Sequence, residues 1–189
     1  MQRLAFLSAV IGLSLLCSGP EVGAATQVRR VLIRTYQFSV LPMPGWRTGT
    51  DKDGMPIFVN FPWSKMQPQL RLPKGGAIVN LVAWDSLLRR HGDESLTGWA
   101  HLDAVNAEPG TVISQNVDAL PPAEIAEAIL LSFDEATFGP NDQQQHEMNA
   151  YWTFRLKKFS AHLSYIVGDP RGREYEDALR HLVLSVRPL

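Results

Sequence analysis

The segment MNAYWTFRLK, Met148 to Lys157, alternates without a break: Met148, Ala150, Trp152, Phe154 and Leu156 fall on one side, and Asn149, Tyr151, Thr153, Arg155 and Lys157 on the other. Successive side chains of an extended strand point to opposite faces, so this pattern predicts a strand with one buried face. Ala161 to Val167 is strand-like and follows after too few residues for a crossover helix, which makes it the antiparallel neighbour. A fold for this chain is therefore built on an antiparallel strand pair with an apolar side to cover.

The N-terminal half supplies more strands. Thr35 to Leu41 alternates, with Tyr36, Phe38 and Val40 on one face and Thr35, Gln37 and Ser39 on the other. Pro42 and Pro44 cannot donate to a ladder and end it, Gly45 permits a sharp turn, and Trp46 can fold back over the apolar face. Asp51 to Gly54 reads as a hairpin-type connection and Pro56 to Phe61 as a strand. Trp63 to Gly75, with Pro68 and Pro73, reads as a loop, and Gly76 to Trp84 is apolar enough for a central strand.

Further along, Asp93 or Ser95 can cap a helix reaching about Ala107, with Leu96, Trp99, Leu102 and Val105 on one stripe and Pro109 and Gly110 ending it. Val112 to Val117 predicts a strand, Leu120 to Pro122 a turn, and Gly139 to Gln145 a polar exposed loop. Ala123 to Phe133 carries two opposed signals: the helix propensity of its Ala, Glu and Leu residues, and Ile125, Ile129, Leu131 and Phe133 at strand spacing. After a break at Asp169 to Gly172, Glu174 to Val186 predicts an amphipathic helix that buries Tyr175, Leu179, Leu182, Val183 and Val186.

Arg3, the apolar run Leu4 to Cys17 and the small, polar stretch Gly19 to Ala25 form the pattern of an export signal, with cleavage expected after Ala24. The apolar run is shorter than the roughly 20 residues that cross a bilayer. A lipid anchor at Cys17 is the minor alternative, because Leu16 stands where a lipoprotein peptidase takes a small residue. Cleavage after Ala24 removes the only cysteine, so the mature chain has no disulfide, thiolate ligand or cysteine nucleophile. The expected organisation is a signal peptide over 1–24, a linker over 25–34 and a single domain over 35–189, exported to the periplasm or outside the cell. A chain of 189 residues, 45% of them apolar, suits one core. Eighteen basic residues against 19 acidic ones, scattered along the sequence, argue against nucleic acid as a partner.

YQFSVLPMPGW, VNFP and the closing YEDALRHLVLSVRPL after a strand pair resemble the Mog1/PsbP-like superfamily, including DcrB-like envelope proteins, over Thr35 to Pro188. The resemblance implies an α+β fold: an α-β-α sandwich whose mostly antiparallel, twisted sheet of about six or seven strands carries helices on both faces. It also implies a strand over Ala123 to Phe133 and an accessory or docking role, with no site residues to carry across.

Read for chemistry, the sequence offers little. Ser164 and Ser185 lie on regular elements with no glycine elbow around them. His91, His101, His146, His162 and His181 are dispersed. His101 with Asp103, or His146 with Glu147, are conceivable metal pairs, but a helix's polar side and a flexible loop are their expected settings. Of the carboxylate groups, Glu124 with Glu127 and Glu174 with Glu176 and Asp177, the second sits at a helix start, where the dipole favours acids. Lys74 to Gly76 precedes a strand, so its glycines serve a turn rather than a phosphate. No catalytic, cofactor-binding or metal residue is assigned and no cofactor is expected. Trp63, between Pro62 and Ser64, is the tryptophan whose loop position suggests exposure and a partner anchor, with packing over a sheet edge the commoner outcome for such a side chain. The expected function is that of a non-catalytic accessory protein binding another envelope protein through the sheet rim and loops around Trp63 to Gly75. The alternative is a small-ligand or lipid binder with a pocket between sheet and helix.

Overall fold

The computed structural model describes residues 29–51, 54–66, 71–84, 113–119, 127–136, 143–155 and 157–189. These hold ten strands: β1 (Val31–Ile33), β2 (Phe38–Val40), β3 (Arg47–Thr50), β4 (Pro56–Val59), β5 (Ala77–Trp84), β6 (Ile113–Ala119), β7 (Glu127–Ala136), β8 (Gln144–Phe154), β9 (Lys157–Ile166) and β10 (Arg187–Pro188). One α-helix, Gly172–Leu184, is present among the described residues. Seven strands form a sheet in the order β3-β4-β5-β9-β8-β7-β6, and β1-β2-β10 form a separate three-stranded sheet. Every pairing is antiparallel.

The β8–β9 pair predicted from alternation is the middle of the large sheet, in register from Gln145↔Ile166 to Phe154↔Lys157. Met148, Ala150, Trp152 and Phe154 share a face with Phe159, Ala161, Leu163 and Tyr165, and with Val79, Leu81 and Phe58 from β5 and β4. Tyr175, Leu179, Leu182 and Val183 of the helix and Ile33, Phe38 and Val40 of the small sheet close this face into the main core. The helix stripe is the one expected, with Val186 also buried. The opposite face carries a smaller cluster of Ile57, Val59, Phe61, Leu72 and Ile78.

Several expectations change. A helix on the second face is not seen among the described residues, and the helix expected from Asp93 or Ser95 to Ala107 lies outside them. Arg34–Tyr36 is a 3₁₀ turn and Gln37 takes the left-handed conformation, φ 59°, so the strand expected from Thr35 begins only at Phe38. Ser39, expected on a polar face, is buried, because the Arg30 guanidinium folds over it and donates to its Oγ at 2.9 Å and its carbonyl at 3.0 Å. Val31–Ile33, within the segment expected as linker, is a strand paired with β2. Strand β3 carried no readable alternation; it is a short, mostly exposed edge.

Over Ala123 to Phe133, ladder pairing wins over helix propensity from Glu127 onward: β7 runs ten residues in register with β8. The loop expected through Gln145 ends earlier, since Gln144 already pairs in β8 and Gln145 is buried. The turn at Pro42 to Trp46 is as read, with Gly45 at φ 82° and Trp46 partly buried on the main core.

Candidate functional site

Strand β8 starts, and β9 ends, at one rim of the sheet, where the helix also begins. There the turn Leu72–Gly76 is held by side chains from three other elements. The Gln143 amide brackets Leu72, accepting from its N–H at 3.0 Å and donating to its carbonyl at 2.9 Å, as a strand neighbour would. Buried Gln145 donates to Gln143 Oε1 at 3.0 Å and fixes that amide. Asn60 continues the β4 ladder past its last strand residue: it accepts from the Ala77 N–H at 2.8 Å and donates to the Gly75 carbonyl at 3.1 Å. The Tyr175 hydroxyl donates to the same carbonyl at 2.9 Å, tying the first turns of the helix to the rim. Gly75 sits at φ 71°, so the glycines of Lys74 to Gly76 make a turn, as expected.

Burial first, then the Asp169 charge, raises the Tyr175 pKa above the ordinary tyrosine value. A folded-state pKa above the unfolded one stabilises fully below the unfolded value and is lost as pH rises past it. Thermal melts of the native chain should therefore fall more steeply above pH about 10 than those of Tyr175→Phe; parallel curves would contradict the assignment.

Beside this turn, Tyr165 donates to Glu176 Oε1 at 3.0 Å, and His146 Nε2 lies 3.6 Å from the same oxygen. His146 is thus on a strand against the helix, not in a flexible loop. Its suggested metal partner Glu147 points to the other face, where it accepts from Ser164 at 3.0 Å, because adjacent strand residues diverge. No set of three metal-ligating side chains occurs among the described residues. Glu174 forms an exposed pair with Arg171 at 3.4 Å, which fits its reading as a helix-start acid. His91, His101, Asp103 and Glu124 lie outside the described residues, as does Cys17.

Trp63 is half-buried against the second-face cluster, and its indole covers Gly49: a Cβ there would come within 2.6 Å of its ring. Of the two readings of Trp63, an exposed anchor and a side chain packed over a sheet edge, the structure shows the second. Gly49→Val should displace the indole and lower stability by about 1–3 kcal/mol, read as a lower melting temperature with a red-shifted tryptophan emission; an unchanged melt would refute the packing.

A second polar group lies in the middle of the sheet's second face. Ser160 Oγ is 2.8 Å from His162 Nε2, and His162 pairs in register with Asn80 on one side and Asn149 on the other. The spacing Ser160, His162, Ser164 at alternate positions was the available signal, and it was missed because Ser160 and His162 were not read as one face. Hydroxyl next to imidazole is the first requirement of a nucleophilic pair. Ser160 is 0% exposed, however, and β9 runs between two partner strands, so its backbone N–H groups serve the ladders rather than an oxyanion. The row is a polar seam, buried at Ser160 and Asn149 and partly exposed at Asn80 and His162. Between sheet and helix, the cleft lined by Pro42, Trp46, Phe58, Val79 and Leu182 has a volume of about 10 Å³, room for one water.

A rigid antiparallel scaffold with a pinned rim and this filled sheet–helix cleft belongs to a known architecture. No protein-family model matches the chain, and no curated protein is similar to it in sequence. Among solved structures, cyanobacterial PsbP from Synechocystis superposes with TM-score 0.50 at 16% identity, covering 92% of this chain and 99% of that one. The Ran-binding protein Mog1p from Saccharomyces cerevisiae superposes with TM-score 0.50 at 10% identity, covering 85% and 95%. A Bacteroides thetaiotaomicron protein matches with TM-score 0.50 at 9% identity over 87% of this chain, which spans 49% of that protein's length. The chain has the Mog1/PsbP-like fold.

Proposed function

We propose that this chain is an exported, non-catalytic accessory protein that docks on another envelope protein through the rim at the Leu72–Gly76 turn, beside the segment that carries Trp63. The observation that carries the reading is the bracing of that turn by Gln143, Asn60 and Tyr175. A loop already fixed in one shape loses less conformational freedom on association, so its contacts count more fully toward affinity. Lys74 is exposed at the tip of this turn, and the helix start that Tyr175 ties to the turn carries exposed charges of both signs on Arg171, Arg173, Glu174 and Asp177. Such a rim suits a polar protein surface. The fold supports a docking role by analogy, since the yeast protein that shares it is a Ran-binding protein. Export rests on the N-terminal pattern Arg3 to Ala25. A ligand held between the sheet and the helix Gly172–Leu184 is disfavoured by the volume of about 10 Å³ there, because ligand sites need roughly 300 Å³ or more.

Chemical crosslinking of intact cells followed by mass spectrometry should capture one dominant protein partner, and Gln143→Ala, which frees Leu72, should reduce its recovery severalfold. Equal recovery with the variant, or no dominant partner, would contradict the reading.

A further inference from the structure

The opposite end of the strands has a different character. Three segments far apart in sequence meet there: β1 with its following 3₁₀ turn, the β8–β9 hairpin tip, and the stretch from the helix end through β10. Lys157 Nζ stands 5.0 Å from the Tyr36 ring centre, and Tyr36 packs edge-on against Phe159 at 5.2 Å, which joins the hairpin tip to the turn. Arg30 reaches both Ser39 and the Ser185 carbonyl, which joins β1 to β2 and to the helix end. Residues 29–41, 153–160 and 184–189 together carry seven cations, Arg29, Arg30, Arg34, Arg155, Lys157, Lys158 and Arg187, and no Asp or Glu; the neighbouring strand β7 places one acid, Glu127, opposite Thr153. Partial burial, and then the Arg187 charge, lowers the Arg30 pKa, as expected where like charges crowd. None of the seven makes an ion pair with a carboxylate among the described residues.

The exposed large apolar side chains among the described residues are Leu32, Leu184 and Leu189, and all three belong to this end. Leu32 lies on β1, Leu184 closes the helix and accepts from Arg187 at its carbonyl, and the Leu189 N–H donates to Gln37. Cations without carboxylate partners, interspersed with exposed leucines, are the combination that holds a protein at a membrane interface: the charges meet anionic headgroups and the apolar tips enter the acyl boundary. An acidic protein face would satisfy the charges but gives no reason for the leucines.

We propose that the β1-β2-β10 sheet and the β8–β9 hairpin tip form a docking surface for an anionic lipid membrane. The surface lies about 35 Å from the Leu72–Gly76 rim, since β8 spans 11 residues between the two ends at about 3.4 Å per residue. It therefore stands independently of any protein partner at that rim.

The test is sedimentation of the purified protein with vesicles of phosphatidylglycerol and phosphatidylethanolamine against vesicles of phosphatidylcholine. Binding to the anionic vesicles is expected at low ionic strength and should fall away as salt screens the charges. The double variant Arg34→Gln, Lys158→Gln removes two charges whose side chains make no hydrogen bond or ion pair, so it should keep the native melting temperature. At about fivefold per charge, it should bind about 25-fold more weakly. Binding that ignores salt and the double variant would overturn the proposal and assign membrane contact to the apolar N-terminal segment. Failure to bind anionic vesicles would also overturn it, and capture on immobilised polyglutamate in that case would assign the surface to an acidic protein.

Discussion

Phe159→Ala is expected to lower the unfolding free energy by about 4 kcal/mol, a large share of the roughly 5–15 kcal/mol that holds a domain folded. Phe159 is 1% exposed at the start of β9 and forms the centre of an aromatic group. Its ring stacks on Trp152 at 5.7 Å and meets Phe38 edge-on at 4.9 Å and Tyr36 at 5.2 Å. Truncation therefore leaves a void between the large sheet and the small one, and the three rings around it come from three different elements that cannot all collapse inward. Trp152→Phe provides the contrast. The indole Nε1 is buried without a hydrogen-bond partner among the described residues, so its loss removes an unsatisfied donor along with some volume. That variant should lose at most about 1.5 kcal/mol. Urea unfolding would check both, and equal losses in the two variants would contradict this description of the core.

Asn60→Ala should cost about 2–4 kcal/mol, more than an average polar substitution at a strand end. Two groups lose their partner at once: the Ala77 N–H, at a residue 0% exposed, and the Gly75 carbonyl, which keeps only Tyr175. A buried donor left bare costs its full desolvation, which is why the loss exceeds the net worth of one hydrogen bond. Asn60→Asp keeps the acceptor for Ala77 but turns a carboxylate oxygen toward the Gly75 carbonyl, so its loss should be intermediate at pH above about 5, where Asp is ionised, and smaller where it is protonated. Hydrogen exchange at Ala77 should accelerate in Asn60→Ala and not in Asn60→Asp. Protection that survives in the alanine variant would show that the ladder ends on some other group.

Much of the sheet was legible because period-two alternation is a local property. Met148 to Phe154 and Ala161 to Ile166 declare their faces without reference to anything distant, and the stripe Tyr175, Leu179, Leu182, Val183 does the same at helical spacing. What was not legible depends on partners far away in sequence. Ser39 looks solvent-facing until Arg30 and the Arg187 carbonyl are brought against it. Gln143 looks like loop filler until Leu72 arrives beside its amide. Trp63 looks exposed until Gly49 provides a flat place for an indole. The cations look scattered along the chain because the three segments that carry them meet only when β1 pairs with β2, β2 with β10, and Tyr36 packs on Phe159. Ser160 and His162 were readable as one face, but the full burial of Ser160 was not.

The most direct test places a photo-crosslinking residue in living cells at either of two positions, Lys74 on the rim or Arg34 at the basic end, and compares the adducts. Position 74 should yield one dominant protein adduct, with position 34 yielding lipid and none of that protein. The same protein captured at position 34 but not at 74, or no protein adduct at either position, would contradict a docking rim at one end of the strands and a membrane-facing surface at the other.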